Sequence, residues 1–306
     1  ATGATAPDAS GAAPAAPRCP AAAPAGTPAK PVRVVPAAGT APEEVFAVGV
    51  RTLSVRRGAK RPLPTTVWYP ATGTPREEAV EDLPAARGPF PLVLFSHGLE
   101  TRPDVYAEIL VRWVQAGFIV AAPAYPHTAT GVPDFNAADV LNQPADATEV
   151  ITRVLALNTR QGDPLRGRIE TGCVAAAGHS AGGITTVGLL TSNRDDRLDA
   201  AIVLAGRKLL AAPFTGPPAP VLFVHGTDDR SVPYADALAA FKSVPWSRAM
   251  LTVTDGGHST TGEDFEVTVG TAIDFLRWSL YGDAAAKARI PGQAAEGGIA
   301  TLTDHL

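Results

Sequence analysis

Cys173-Val174-Ala175-Ala176-Ala177-Gly178-His179-Ser180-Ala181-Gly182-Gly183 decides how the rest of the chain is read. A short apolar run stops at a glycine, turns through a serine, and enters a helix-compatible stretch, Ile184 to Thr191, through two more glycines. A serine on such a strand-to-helix corner is held in a tight backbone conformation, with its hydroxyl projecting from the sheet edge and a helix N-terminus beneath it. Glycine at 178 and 182 lets the two backbones approach closely. Gly-x-Ser-x-Gly recurs by chance, so its weight comes from the flanking strand and helix and from what the other strand ends deliver.

Working outward, strand-like and helix-like segments alternate. Phe90 to Ser96 is a continuous apolar run, followed by His97-Gly98-Leu99. Loss of the period-two pattern is expected of a strand buried on both faces. Tyr106 to Ala116 carries helical spacing, Phe118 to Ala122 reads as a strand, and Pro123 to Gln143 is a long loop reaching the carboxyl edge. Pro144 to Leu157 is a helix; Ala200 to Ala205, Pro220 to Gly226 and Ala249 to Val253 are strands; Tyr234 to Phe241 and Phe265 to Tyr281 are helices. Upstream, Val45 to Val55 and Leu63 to Tyr69 read as an antiparallel hairpin whose basic turn, Arg57 to Arg61, is a solvated edge. This order predicts an α/β fold, a mostly parallel doubly wound sheet with an N-terminal antiparallel hairpin.

Three organisational units are expected. Residues 1–42, rich in Ala, Pro, Gly and Thr, form a flexible leader; residues 43–282 form one catalytic domain; residues 283–306 are an extension without a readable place. The formal charge of −4 gives no electrostatic case for nucleic acid. No apolar run approaches the roughly 20 residues that span a bilayer. The start at Ala1 points to a mature or trimmed chain, and the leader to a secreted or cell-envelope protein, including a lipoprotein whose anchor has been lost. A monomer is expected. Cys19 and Cys173 are the only cysteines: in an exported protein they pair, in a reducing compartment they are two free thiols, and the sequence leaves both open.

The chemistry converges from three strand ends. Ser180 follows one, Asp228 and Asp229 follow another, and His258, flanked by Gly257 and outside any apolar run, follows the last. Serine, acid, histidine is one chain order in which a catalytic triad occurs. The hydroxyl is too weak an acid to attack an ester unless a histidine takes its proton and a carboxylate holds that histidine in one tautomer. Backbone N–H groups of Ala181 and of Leu99 are candidates to stabilise the developing oxyanion. His97, His127 and His179 are candidates to line the substrate pocket; for His97 and His179 the plainer role is bracing their loops.

The motifs Leu94-Phe95-Ser96-His97-Gly98-Leu99, Gly117 to Ala121, Gly178 to Gly183, His225-Gly226-x-x-Asp229 and Gly257-His258 resemble the α/β-hydrolase superfamily. Within it, residues 45–282 most resemble the bacterial branch shared by platelet-activating-factor acetylhydrolase, chlorophyllase, dienelactone-hydrolase-like esterases and cutinase-related polyester hydrolases. The resemblance implies a serine esterase that works through an acyl-enzyme on small or medium acyl esters, polyesters included, with no metal or organic cofactor. It also implies Asp229 rather than Asp228 as the acid. Ala181 and Leu99 stand where polyester hydrolases often carry a methionine and an aromatic residue, and Leu99 is closer to the acetylhydrolase pattern. The competing readings are a peptidase or amidase using the same residues, and a silent binding module, which predicts a missing triad member.

Overall fold

The computed structural model describes Cys19, residues 31–259 and residues 262–306. Its centre is β4 (Phe90–Ser96), in which every residue is buried. Leu92 and Leu94 point into one apolar cluster and Val93 and Phe95 into another, so the strand is covered on both faces. That is why the run lacks alternation in the sequence. β5 (Ile119–Pro123) pairs parallel to it on one side and β6 (Ile169–His179) parallel on the other. Beyond β6 follow β7 (Leu198–Leu204), β8 (Val221–Gly226) and β9 (Arg248–Val253), all parallel.

On the other flank, β2 (Arg61–Ala71) joins β5 antiparallel and forms a hairpin with β1 (Ala47–Arg57); the two-residue β3 (Val80–Glu81) closes that edge. The ten-stranded order is β10-β9-β8-β7-β6-β4-β5-β2-β1-β3, with β10 (Ala300–His305) antiparallel to β9. This is the mostly parallel sheet of the α/β-hydrolase fold, as the sequence predicts. The chain runs from β4 outward to β5 and returns to the far side of β4 at β6. The strand order therefore reverses at β4, and in an open α/β sheet ligands bind at the carboxyl edge of such a switch point.

Residues of α2 (Gln143–Ala156) and α4 (Tyr234–Ser243), with Val187 of α3 (Ala181–Gly188), enter the cluster on one face. Those of α1 (Ala107–Gln115), α5 (Glu263–Tyr281) and α6 (Ala284–Ala294) enter the other. Boundaries of α1, α2, α4 and α5 lie within about two residues of the periodicity, as end fraying leads one to expect, whereas α3 starts and ends three residues before the expected stretch.

Three readings are corrected. The basic turn is solvated only at its tip, Gly58 to Lys60: Arg57 Nε lies 2.6 Å from Asp146 Oδ1, and Arg61 pairs with both Asp146 and Asp139. Asp146 is fully buried at the start of α2, so the hairpin is clamped to that helix. Of the expected leader, residues 1–18 and 20–30 lie outside the described residues. Residues 31–42 are docked: Val32 N–H donates to Pro245 O at 2.9 Å, Ser247 N–H to Val32 O at 2.9 Å, and Val34 N–H to Ser247 Oγ at 2.8 Å. Finally, residues 283–306 form α6, packed on α5, and β10. Among the described residues no helix is long and apolar enough to cross a membrane.

Cys19 and Cys173 form a disulfide, with Cα atoms 5.3 Å apart. It joins Cys19 to the strand that leads to Ser180 and points to an oxidising compartment.

Candidate active site

The corner after β6 has the backbone that its glycines foreshadow. Ser180 lies at φ 55° and ψ −119°, a conformation L-residues avoid at a cost of order 1–3 kcal/mol. A Cβ on Gly178 would fall 2.1 Å from Gly182 O, and one on Gly182 would fall 1.8 Å from Ser96 O. Only glycine permits α3 to start this close to the ends of β6 and β4. The corner is tied to the neighbouring strand by Ser180 N–H donating to Leu204 O at 2.9 Å. The hydroxyl consequently stands at the sheet's carboxyl edge, above a helix N-terminus.

His258 arrives from the loop after β9, and its Nε2 lies 2.9 Å from Ser180 Oγ. Its Nδ1 lies 2.8 Å from Asp229 Oδ2 in the turn after β8. The proton positions follow from the partners. An ionised carboxylate only accepts, so Nδ1 carries the hydrogen, and Nε2 keeps the lone pair that faces the serine hydroxyl. Asp229 Oδ1 meanwhile accepts from Ser231 N–H and Val232 N–H, both at 2.9 Å. Burial by itself would push the Asp229 pKa up, but the Val232 amide, the His258 imidazole and the Ser231 amide outweigh it and hold the carboxyl below its ordinary value. The acid is therefore ionised and rigid. Asp228 turns outward, 61% exposed and 3.7 Å from Arg230, and does not reach His258.

His225 packs under the acid, its Nε2 donating to Val232 O at 2.8 Å and lying 3.2 Å from Asp229 Oδ2. Asp229 thus sits between two imidazoles. His225 thereby braces the turn that carries Asp229.

The loop after β4 packs against the serine: a Cβ on Gly98 would lie 3.3 Å from Ser180 Cβ. Leu99 follows, partly exposed at 38%, and Ala181 is buried as the first residue of α3. Among the described residues neither backbone N–H is engaged with a backbone acceptor, so both are free to meet a ligand oxygen. A hydroxyl, an imidazole and a carboxylate in hydrogen-bonded series can pass a proton from hydroxyl to ring while the carboxylate stabilises the resulting imidazolium.

Of the pocket candidates, His127 stays partly exposed, its Nδ1 3.0 Å from Asp134 Oδ2 and its side chain 29% exposed. His97 is buried, its Nδ1 donating to Gly98 O at 2.7 Å and its Nε2 accepting from Tyr125 N–H at 3.0 Å. Burial pushes its pKa down to about 4, with the Gly98 carbonyl pulling the other way. It holds the loop shape rather than lining a pocket. His179 lies between Tyr106 OH at 2.9 Å and His258 O at 2.7 Å. Tyr106, at the entrance to α1, carries no signal in the sequence beyond a helix start; its hydroxyl also accepts from Gly98 N–H at 3.0 Å.

Comparison with known proteins bears on the same region. The chlorophyllase family model matches residues 65–205, which include the loop at Leu99 and Ser180 but stop short of Asp229 and His258. The chloroplastic chlorophyllase-1 proteins of Citrus sinensis and Citrus unshiu are each 30% identical over 162 residues, 53% of this chain and 45% of theirs. The matched stretch thus spans less than half the length of these curated relatives. A mostly parallel sheet, a serine at its switch point and this match agree: the chain has the α/β-hydrolase fold and, over residues 65–205, is similar to the chlorophyllase family of ester hydrolases.

Proposed function

We propose that the chain is a serine hydrolase of carboxylic esters that works through an acyl-enzyme, with Ser180 as nucleophile, His258 as general base and acid, and Asp229 as its orienting carboxylate. The observation that carries the reading is the unbroken series Ser180 Oγ, His258 and Asp229, at 2.9 and 2.8 Å, starting on a strained corner of the sheet edge.

His258 Nε2 takes the Ser180 proton as Oγ attacks the ester carbonyl, and Asp229 stabilises the imidazolium through Nδ1–H. The carbonyl oxygen becomes an oxyanion between the Leu99 and Ala181 amides. Collapse of this intermediate breaks the ester C–O bond, and the imidazolium gives its proton to the departing alcohol. Water then enters, loses a proton to His258, and attacks the acyl carbon; the second collapse returns the proton to Ser180 and releases the acid. Each step uses donors fixed before the reaction starts, which is how such sites lower barriers.

Small and medium acyl esters are the proposed substrates, polyesters among them, and the disulfide supports a secreted or cell-envelope location. The relatives' names add a chlorophyll ester to the substrates worth assaying. Ser180→Ala tests the reading: hydrolysis of a short-chain chromogenic ester should fall by about 10⁴-fold or more while the thermal transition is retained. Activity within tenfold of the wild type would sink it.

A further inference from the structure

The loop that delivers His258 is thinly held. Up to Gly256 it is anchored, by Asp255 N–H to Thr227 Oγ1 at 2.8 Å and by Asp228 N–H to Gly256 O at 2.9 Å. A Cβ on Gly226 would fall 2.0 Å from Gly256 O, so the chain is pressed onto the end of β8 there. Beyond that point the hold is slighter: Gly257 O still abuts Gly226, 2.7 Å from where its Cβ would stand, but a Cβ on Gly257 itself would meet nothing within 4 Å. Among the described residues, the backbone of Gly257, His258 and Ser259 makes one hydrogen bond, His258 O with His179 Nε2 at 2.7 Å.

The protons along this link are determined by chemistry. A carbonyl only accepts, so His179 Nε2 carries the hydrogen and, in a neutral ring, Nδ1 carries the lone pair. Tyr106 O–H therefore donates to Nδ1, and the Tyr106 oxygen accepts from Gly98 N–H. Burial favours the neutral ring, taking the His179 pKa down to about 4, with the His258 carbonyl opposing it. The two rings also pack against each other, tilted by 48° with centroids 4.9 Å apart. One neutral imidazole thus joins the backbone of the proposed base to the loop that carries the Leu99 amide.

We propose that His179 is a positioning residue for this hydrolase: through its Nε2–H to His258 O it sets the place of the general base, and through Nδ1 and Tyr106 it keeps the loop of Gly98 and Leu99 in register with that base. The proposal rests on the reading of Ser180, His258 and Asp229 as a triad. Its mechanical logic is that Asp229 and Ser180 constrain the ring of His258 but not the backbone that carries it. Displacing a reacting group by about 1 Å can lower a rate on the order of 10²-fold.

Two near-isosteric replacements separate the two ends of the ring. His179→Gln places a side-chain amide near the position of Nε2 and can still donate to His258 O. His179→Asn ends near the position of Nδ1 and can bond only Tyr106. Steady-state ester hydrolysis should show kcat for H179N at least tenfold below that of H179Q, with KM of the two within about twofold and with matching thermal transitions. Equal kcat for the two variants overturns the proposal, as does a loss expressed wholly in KM. Should H179N not fold, H179Q carries the test: kcat within about fivefold of the wild type supports the link, and a hundredfold loss overturns it. Ser180→Ala, assayed beside them, keeps the two readings apart. A fully active Ser180→Ala removes the triad itself, whereas an inactive one with H179N as fast as H179Q removes only the role of His179.

Discussion

Replacing Asp229 by Asn preserves the volume of the side chain and removes its charge, and its consequence can be worked out atom by atom. Oδ1 accepts two backbone N–H groups, from Ser231 and Val232, so the asparagine oxygen has to occupy that position. The amide NH2 then stands where Oδ2 was, 2.8 Å from His258 Nδ1 and 3.2 Å from His225 Nε2. Two N–H groups cannot face each other, and His258 escapes by moving its proton to Nε2. That nitrogen lies 2.9 Å from Ser180 Oγ and, once protonated, can no longer accept the serine proton. Catalysis is left to the disfavoured tautomer, with no carboxylate to stabilise the imidazolium. Loss of the correct tautomer at such a site lowers kcat by about 10⁴-fold, or roughly 5 kcal/mol of barrier at 1.36 kcal/mol per decade. The assay is ester hydrolysis at neutral pH with thermal unfolding as a folding control. Asp228→Asn, at an exposed carboxylate that does not touch His258, should stay within about twofold of the wild type. A D229N enzyme within tenfold of the wild type, or a D228N enzyme equally impaired, would refute the reasoning.

Two further predictions concern stability. Asp199 is half-buried, its Oδ2 accepting Val174 N–H at 3.0 Å, and burial raises its pKa to about 7 against the opposing Val174 amide and Arg194. A carboxyl raised in the folded state favours folding least once the unfolded chain has ionised. The penalty therefore grows as pH rises from about 4 to about 7 and is constant above that. Asp199→Asn should accordingly stabilise the protein at pH 8, by on the order of 2–4 kcal/mol, and hardly at pH 4; urea midpoints that shift equally at both pH values would contradict the assignment. The disulfide closes a separation of 154 residues, for which the chain-entropy relation gives about 5 kcal/mol as an upper value. Cys173→Ser, or the wild type in reductant, should unfold at a clearly lower urea concentration, and an unchanged midpoint under reductant would show that the bond contributes nothing.

The legible parts of the chain are those where a local pattern has one physical solution. A run such as Phe90 to Ser96 can only be a strand covered on both faces, and the glycines at 178 and 182 can only serve a close crossing of backbones. What escaped the reading is held by partners distant in sequence. Val32 docks on Pro245 and Ser247, β10 completes its bonds on β9, and Arg57 and Arg61 find buried carboxylates on α2, pairings that no window of neighbouring residues contains. Tyr106 is an extreme case, a residue at a helix entrance whose hydroxyl bridges Gly98 and His179.

At the candidate site, the types of group, their order along the chain and their delivery from strand ends are legible in the residues alone, because strand-to-loop punctuation and glycine placement are local properties. The sequence also singles out Ser180 as the corner residue. Between the two aspartates, the motif resemblance favours Asp229, and the fold supplies the physical reason: the two differ by one position in a turn whose backbone path sends Asp229 toward His258 and Asp228 to solvent. The fold also supplies the partners for the bracing role that the sequence offers for His97 and His179, and it joins Cys19 to Cys173. The reason is the same throughout: a side chain's partner is set by which strand lies beside its own, and the order β5-β4-β6 is written in the packing of the two faces rather than in any single stretch.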